Sequence, residues 1–175
     1  MKRGLFVLSL VLVGGAMATS SWAATSGTAQ VTLAANANAF IDVLDPSVTL
    51  TPTATDYVND FVEAAGASGL RVRVKSNSST GMSLLVRCAD ASPQIALSDL
   101  FVRTQTAPGS GGTTMSTYTA ITASNQTLWT TGVAQGPFQT VTTDIKIQNI
   151  NNYTDAGSGG STDYTNTLTY SVITL

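Results

Sequence analysis

The chain has 175 residues, 43% apolar, 7% aromatic and only 10% charged, with eight Lys or Arg against ten Asp or Glu. Charge lies well below the roughly 25% of an ordinary soluble protein, so Thr, Ser, Asn and Gly carry the surface, and neither a charge-rich disordered tail nor a coiled coil fits. A single Cys, a single Glu and the absence of His remove most side chains used for metal binding, acid–base work and nucleophilic catalysis, which argues against an enzyme.

Residues 1–23 read as a secretory signal. Lys2 and Arg3 form a basic end, Leu5 to Val13 an apolar run, and Ser21-Trp22-Ala23 offers the small residues that a signal peptidase reads. The run is too short for a membrane span, which needs about 20 residues. The expected mature chain, 24–175, keeps six basic residues against all ten acids, a net charge of −4. That balance disfavours nucleic acid or anionic lipid as a partner, since both are bound through clustered Lys and Arg. Secretion, to the periplasm or the cell surface, is the expected localisation.

Beyond residue 23 no segment carries an apolar stripe at helical spacing, and the abundance of Thr and Val suits strands. The longest alternation runs from Ala29 through Val31, Leu33, Ala35, Ala37, Ala39 and Ile41 to Val43, with Gln30, Thr32, Asn36, Asn38 and Asp42 between them. Asp45-Pro46 breaks it, Val48 and Leu50 start a short piece, and Tyr57 to Val62 supplies another before Gly66 and Gly69. Leu70 to Lys75 and Met82 to Cys88 are predicted to form a hairpin across residues 76–81. In the first, Arg71, Arg73 and Lys75 alternate with Leu70, Val72 and Val74, which reads as a solvated strand face in preference to an anion site. In the second, Cys88 shares a face with Met82, Leu84 and Val86 and is expected in the core, with no intramolecular disulfide available to it.

Leu100 to Thr104 alternates again, and Gly109 to Gly112 is a loop. Tyr118 to Ile121 and Thr127 to Trp129 are short strand candidates. Gln139 to Ile150 sets Val141, Ile145 and Ile147 on one face, and Asp163 to Leu175 repeats the device with Tyr164, Leu168, Tyr170 and Val172. These two segments are read as a long closing hairpin. About eight to ten short strands predict an all-β fold, an antiparallel immunoglobulin-like sandwich forming a single domain over 24–175. An eight-stranded outer-membrane barrel is the lesser alternative, since aromatics are few and most strands are short.

Site chemistry is sparse. Asp155 to Asp163 brackets a Gly-rich loop, but its spacing lacks the closing Glu and intervening acids of a helix–loop–helix calcium site, so a plain hairpin loop is preferred and neither metal nor cofactor is assigned. Asn77, Asn125 and Asn152 open glycosylation triplets of the kind that chance supplies in so Asn- and Thr-rich a chain. A monomeric module that binds a carbohydrate or another surface would need exposed aromatics, and Trp129, Tyr118 and Tyr153 are the loop or edge candidates.

With an export signal, an alternating N-terminal segment, a β-rich body and a Tyr-containing strand at its C-terminal end, the chain resembles bacterial fimbrial subunits of the chaperone–usher class, including the spore-coat-U-like group. The resemblance is one of layout. It implies an incomplete sandwich completed by the N-terminal segment of the next subunit, with residues 24–44 as donor segment and Ala29, Val31, Leu33 and Ala35 as donor positions. It also implies an acceptor groove bordered by Ile173 and Leu175, or by Val172, and as partners further copies or other surface subunits and a periplasmic chaperone. Many members carry a disulfide that this chain cannot form. The alternative is that Gln30 to Ala35 is merely the first strand of a complete, monomeric sandwich.

Overall fold

A computed structural model describes residues 32–33, 35–105, 108, 111–153 and 163–175. From Ala35 onward the chain forms one compact unit. Among the described residues ten strands are arranged in two antiparallel sheets: β1 (Ala39–Val43), β2 (Phe61–Ala64), β3 (Leu70–Ser76), β4 (Met82–Cys88), β5 (Leu100–Arg103), β6 (Thr113–Thr114), β7 (Thr119–Ala120), β8 (Gln126–Thr131), β9 (Gln135–Gln148) and β10 (Leu168–Thr174). A six-stranded sheet runs in the order β1-β3-β9-β5-β7 with β2 also paired to β9, and a four-stranded sheet in the order β10-β4-β8-β6. The fold is the predicted all-β sandwich.

Alternation explains the core. Leu70, Val72 and Val74 of β3, Met82, Leu84, Val86 and Cys88 of β4, Leu100 and Val102 of β5 and Val141 and Ile145 of β9 all point between the sheets. Arg71, Arg73 and Lys75 fall on the opposite, outer face, as the two-residue repeat requires. Cys88 is buried and unpaired, as expected. A thiol reagent is therefore expected to modify it only after the protein is unfolded, and rapid labelling under native conditions would place it at the surface.

Two pairings differ from expectation. Leu70 to Lys75 and Met82 to Cys88 are not a hairpin: β3 pairs β1 and β9, β4 pairs β10 and β8, and residues 76–81 cross from one sheet to the other. Gly81 ends that crossing at φ +94°, and a Cβ there would stand 1.8 Å from the Thr131 carbonyl oxygen, so only glycine fits. Nor are the last two segments a closing hairpin, because β9 lies in the six-stranded sheet and β10 pairs β4 in the other. Val141 and Ile145 do share the core with Leu168, Tyr170 and Val172, but across the sandwich. In both cases the alternation defines which face is buried and leaves the hydrogen-bonding neighbour open.

The stretch from Tyr57 to Val62 is helical in its first part. Helix α1 (Ala54–Asn59) begins at a capping box, in which Thr53 Oγ1 accepts from the Asp56 N–H and the Asp56 carboxylate accepts from the Thr53 N–H at 2.7 Å. It ends at Asp60 in the left-handed region, and β2 follows. None of its residues is buried, so it has no apolar stripe for a sequence pattern to show. Val48 and Leu50 rest against the core without forming a strand. The long N-terminal alternation is a strand, among the described residues, only from Ala39. Trp129 lies in the middle of β8 and is fully buried. Tyr164 stands outside the core, its ring edge-on to Tyr153 at 5.1 Å.

Candidate functional site

Three features of the described residues gather polar groups or open backbone at the surface. A shallow groove of about 460 Å³ lies beside β2, with Asp56 and Glu63 among its lining residues. Both carboxylates are engaged, Asp56 in the α1 cap, which holds its pKa below the usual carboxylate value, and Glu63 by the Tyr118 hydroxyl at 3.1 Å. Burial, and then that bond, push Tyr118 up to about 12. A second cluster surrounds buried Asp99, whose carboxylate accepts from Asn149 Nδ2 at 2.7 Å and from the Tyr153 hydroxyl at 2.8 Å. These bonds clasp the turn after β9 to the segment before β5. Among the described residues no three His, Cys, Asp or Glu side chains come together.

The third feature is the open margin of the sandwich, where β1 and β10 run close to each other. Each is the outermost strand of its sheet. The Thr167 carbonyl accepts from the Ala89 N–H at 2.8 Å and the Leu175 N–H donates to the Gly81 carbonyl at 3.1 Å. Odd-numbered residues of β10 therefore bond β4, and by antiparallel alternation the backbone groups of Leu168, Tyr170, Val172 and Thr174 point away from it. The same argument applies to β1: the Asn38 carbonyl accepts from the Asn77 N–H and the Leu44 N–H donates to the Arg71 carbonyl, which turns Ala39, Ile41 and Val43 outward.

Side chains at this margin are half covered. Ile41, Leu168, Tyr170 and Val172 pack on the core yet stay partly accessible, while Val43, Ile173 and Leu175 are exposed. Burial pushes the Tyr170 hydroxyl up to about 12, with the Thr143 hydroxyl beside it pulling the other way. The ends of β10 are tied down: the Asp90 carboxylate accepts from the Thr167 N–H, which holds its pKa below the usual value, and the Leu175 carbonyl accepts from the Thr80 hydroxyl. Among the described residues the outer side of this edge has no strand partner, so the edge is a fixed template for one.

Of the expected groove residues, Val172 faces the core and Ile173 and Leu175 face solvent. Among the expected donor positions, Ala29 and Val31 lie outside the described residues, Leu33 is 87% exposed and Ala35 is exposed. Residues 39–43 of the 24–44 stretch form β1 and pair with β3, so the length left for exchange ends at Asn38. Most of the loop from Asp155 to Asp163 lies outside the described residues. No helix among the described residues is long and apolar enough to cross a membrane.

The three aromatics expected to mark a binding module do not form one surface. Trp129 is in the core, donating from Nε1 to the Gly111 carbonyl at 3.0 Å, Tyr118 lies against Arg103 with ring centroid and guanidinium carbon 4.2 Å apart, and Tyr153 belongs to the Asp99 clasp. What the sequence reading missed is the outer face of the six-stranded sheet, where Phe40, Phe61, Phe101 and Phe138 alternate with the inward residues of β1, β2, β5 and β9. Every phenylalanine beyond residue 23 is on that face. The signal was that these residues and Arg71, Arg73, Lys75 and Lys146 all take the outward positions of their strands, which is visible only once strand neighbours are known.

No family model, curated protein or solved structure matches the chain.

Proposed function

We propose that this protein is an exported, non-enzymatic structural or adhesive surface subunit that assembles by strand exchange, the alternating segment before Asn38 of one copy adding to the outer edge of β10 in the next. The observation that carries the reading is that edge: four residues of β10 turn their backbone groups away from β4, beside half-covered Ile41, Tyr170 and Val172. An added strand satisfies those groups and covers the apolar flank at once. The donor positions Ala29, Val31, Leu33 and Ala35 are small or apolar on one face of a two-residue repeat, which suits insertion beside large side chains. A composition without His and with Glu63 as its one glutamate supports a role without chemistry.

Sedimentation tests this. The full chain is expected to form concentration-dependent oligomers, and removal of residues 24–35 to leave a monomer. That deletion spares the contacts of Asn36 and Asn38 with Asn77, so it leaves the start of β1 intact. Strict monomers from both proteins at high concentration would remove the subunit reading.

A further inference from the structure

The core of this domain contains no phenylalanine, and all four beyond residue 23 stand on the outer face of one sheet. Phe40 and Phe138 remain 54% and 39% exposed. Exposed aromatic rings gathered on one face, unlike single ones, mark a surface that another molecule covers. The basic residues on the same face divide into two kinds. Its three arginines are already paired, Arg71 with Asp45 and Arg73 with Asp42 at 2.7 Å, and Arg103 with Asp144 at 2.9 Å. Neither lysine has a carboxylate partner among the described residues. Lys75 Nζ is held between two rings, 5.0 Å from the centre of Phe40 and 4.6 Å from that of Phe138. Lys146 Nζ stands 4.0 Å from the centre of Phe61 and 5.7 Å from that of Tyr118.

Each site therefore combines an aromatic ring with an amine that makes no ion pair: Glu63, opposite Lys146 on β2, is engaged by the Tyr118 hydroxyl, and Phe138 also carries the Arg73 guanidinium at 4.8 Å. A ligand that complements both must present a carboxylate next to an apolar ring face, and the C–H face of a uronic acid does so. Spacing sets the scale. Lys75 lies level with the start of β9 and Lys146 near its end, so the two amines are about 27 Å apart at about 3.4 Å per strand residue, the reach of several sugar units. A nucleic acid fits poorly, because a duplex carries one charge per about 1.7 Å and two unpaired amines on a net-acidic chain do not neutralise such a backbone.

We propose that the outer face of the six-stranded sheet binds an extended acidic polysaccharide, its uronic acid rings stacked on Phe40, Phe138 and Phe61 and its carboxylates met by Lys75 and Lys146. The inference does not rest on strand exchange, since this face is separate from the β10 edge.

Affinity electrophoresis of the full chain through gels containing polygalacturonate tests it, with the fully methyl-esterified polymer and a single-stranded DNA as comparators. Polygalacturonate is expected to retard the protein and the esterified polymer to do so far less. The double variant Lys75→Gln/Lys146→Gln should lose affinity by about tenfold or more, as the removal of two charge-assisted contacts implies. Phe138→Ala should also weaken binding while lowering the melting temperature by only a few degrees, since the ring is partly exposed and its cation contacts lie at the surface, and Arg87→Gln, on the other sheet, should behave as the parent. The proposal is overturned by an absence of retardation, by a double variant that binds like the parent, by an equal loss in Arg87→Gln, or by DNA bound as tightly as polygalacturonate. It is equally overturned if sedimentation without glycan shows that Phe138→Ala dissociates an oligomer, since a second copy then covers the face.

Discussion

Replacing Trp129 by Ala is expected to destabilise the domain by about 3–5 kcal/mol, the usual range for emptying a buried aromatic site. The side chain is wholly inaccessible, stands opposite Leu84 of β4 and Thr114 of β6, and donates its one N–H to the Gly111 carbonyl. Truncation removes a large apolar volume and leaves that carbonyl without its indole donor. Gly112 adds a constraint of its own, since a Cβ there would sit 2.7 Å from Trp129 Nε1, so the surrounding loop is built to the indole and collapses poorly into the space. In a domain of this size each kcal/mol lowers Tm by roughly 2–4 °C, so a fall of about 6–20 °C is expected in a thermal melt. Trp129→Phe, which fills part of the volume and lacks the donor, should fall between the two. A loss below about 1 kcal/mol for Trp129→Ala would mean that β8 does not pack as described.

Removing Ser171 to Leu175 is expected to cost about 3–5 kcal/mol, from roughly 1.5 kcal/mol or more for the apolar cover given by Val172 and about 0.5–1.5 kcal/mol for each ladder bond lost. The deleted residues pair with Leu85, Leu84, Ser83 and Met82. The deletion also releases the tie between the Leu175 carbonyl and Thr80. Against a total stability of about 5–15 kcal/mol this is a large fraction. A truncated protein that still melts cooperatively within a few degrees of the full chain would make β10 peripheral and would sink the strand-exchange reading with it.

What the sequence disclosed was periodicity. Leu70, Val72 and Val74, Met82 to Cys88, and Val141 with Ile145 all declared their buried face by alternation, and that face is the observed one. Pairing was hidden for a physical reason: Ser76 to Gly81 has the composition of a hairpin turn, and nothing local distinguishes a link that returns along the same sheet from one that crosses to the other. Helix α1 was hidden because its signal is only a cap, Thr53 with Asp56, and a capping box without an apolar stripe is easily passed over. Trp129 was misplaced because β8 is central, lying between β4 and β6, so both its neighbours and its exposure depend on distant segments. Neither the place of β10 at the edge of its sheet nor the aromatic face was legible in periodicity, the first because it depends on strand order and the second because it unites residues from β1, β2, β3, β5 and β9.

The crossing at residues 76–81 has a consequence for how the molecule comes into being. Because β3 leads away from β4, almost every ladder joins segments remote in the chain: Val74 meets Gln139, Val102 meets Ile145, and Tyr170 meets Val86. Such a high contact order belongs to domains that fold in milliseconds to seconds, because the entropy of closing long loops is spent before any sheet rewards it. During that interval the flank of β4 awaits a partner encoded some eighty residues later, and any apolar strand nearby competes for it. The same backbone groups that select the correct strand in the finished protein therefore make the nascent chain prone to mispairing, and favour its remaining unfolded until β10 has emerged.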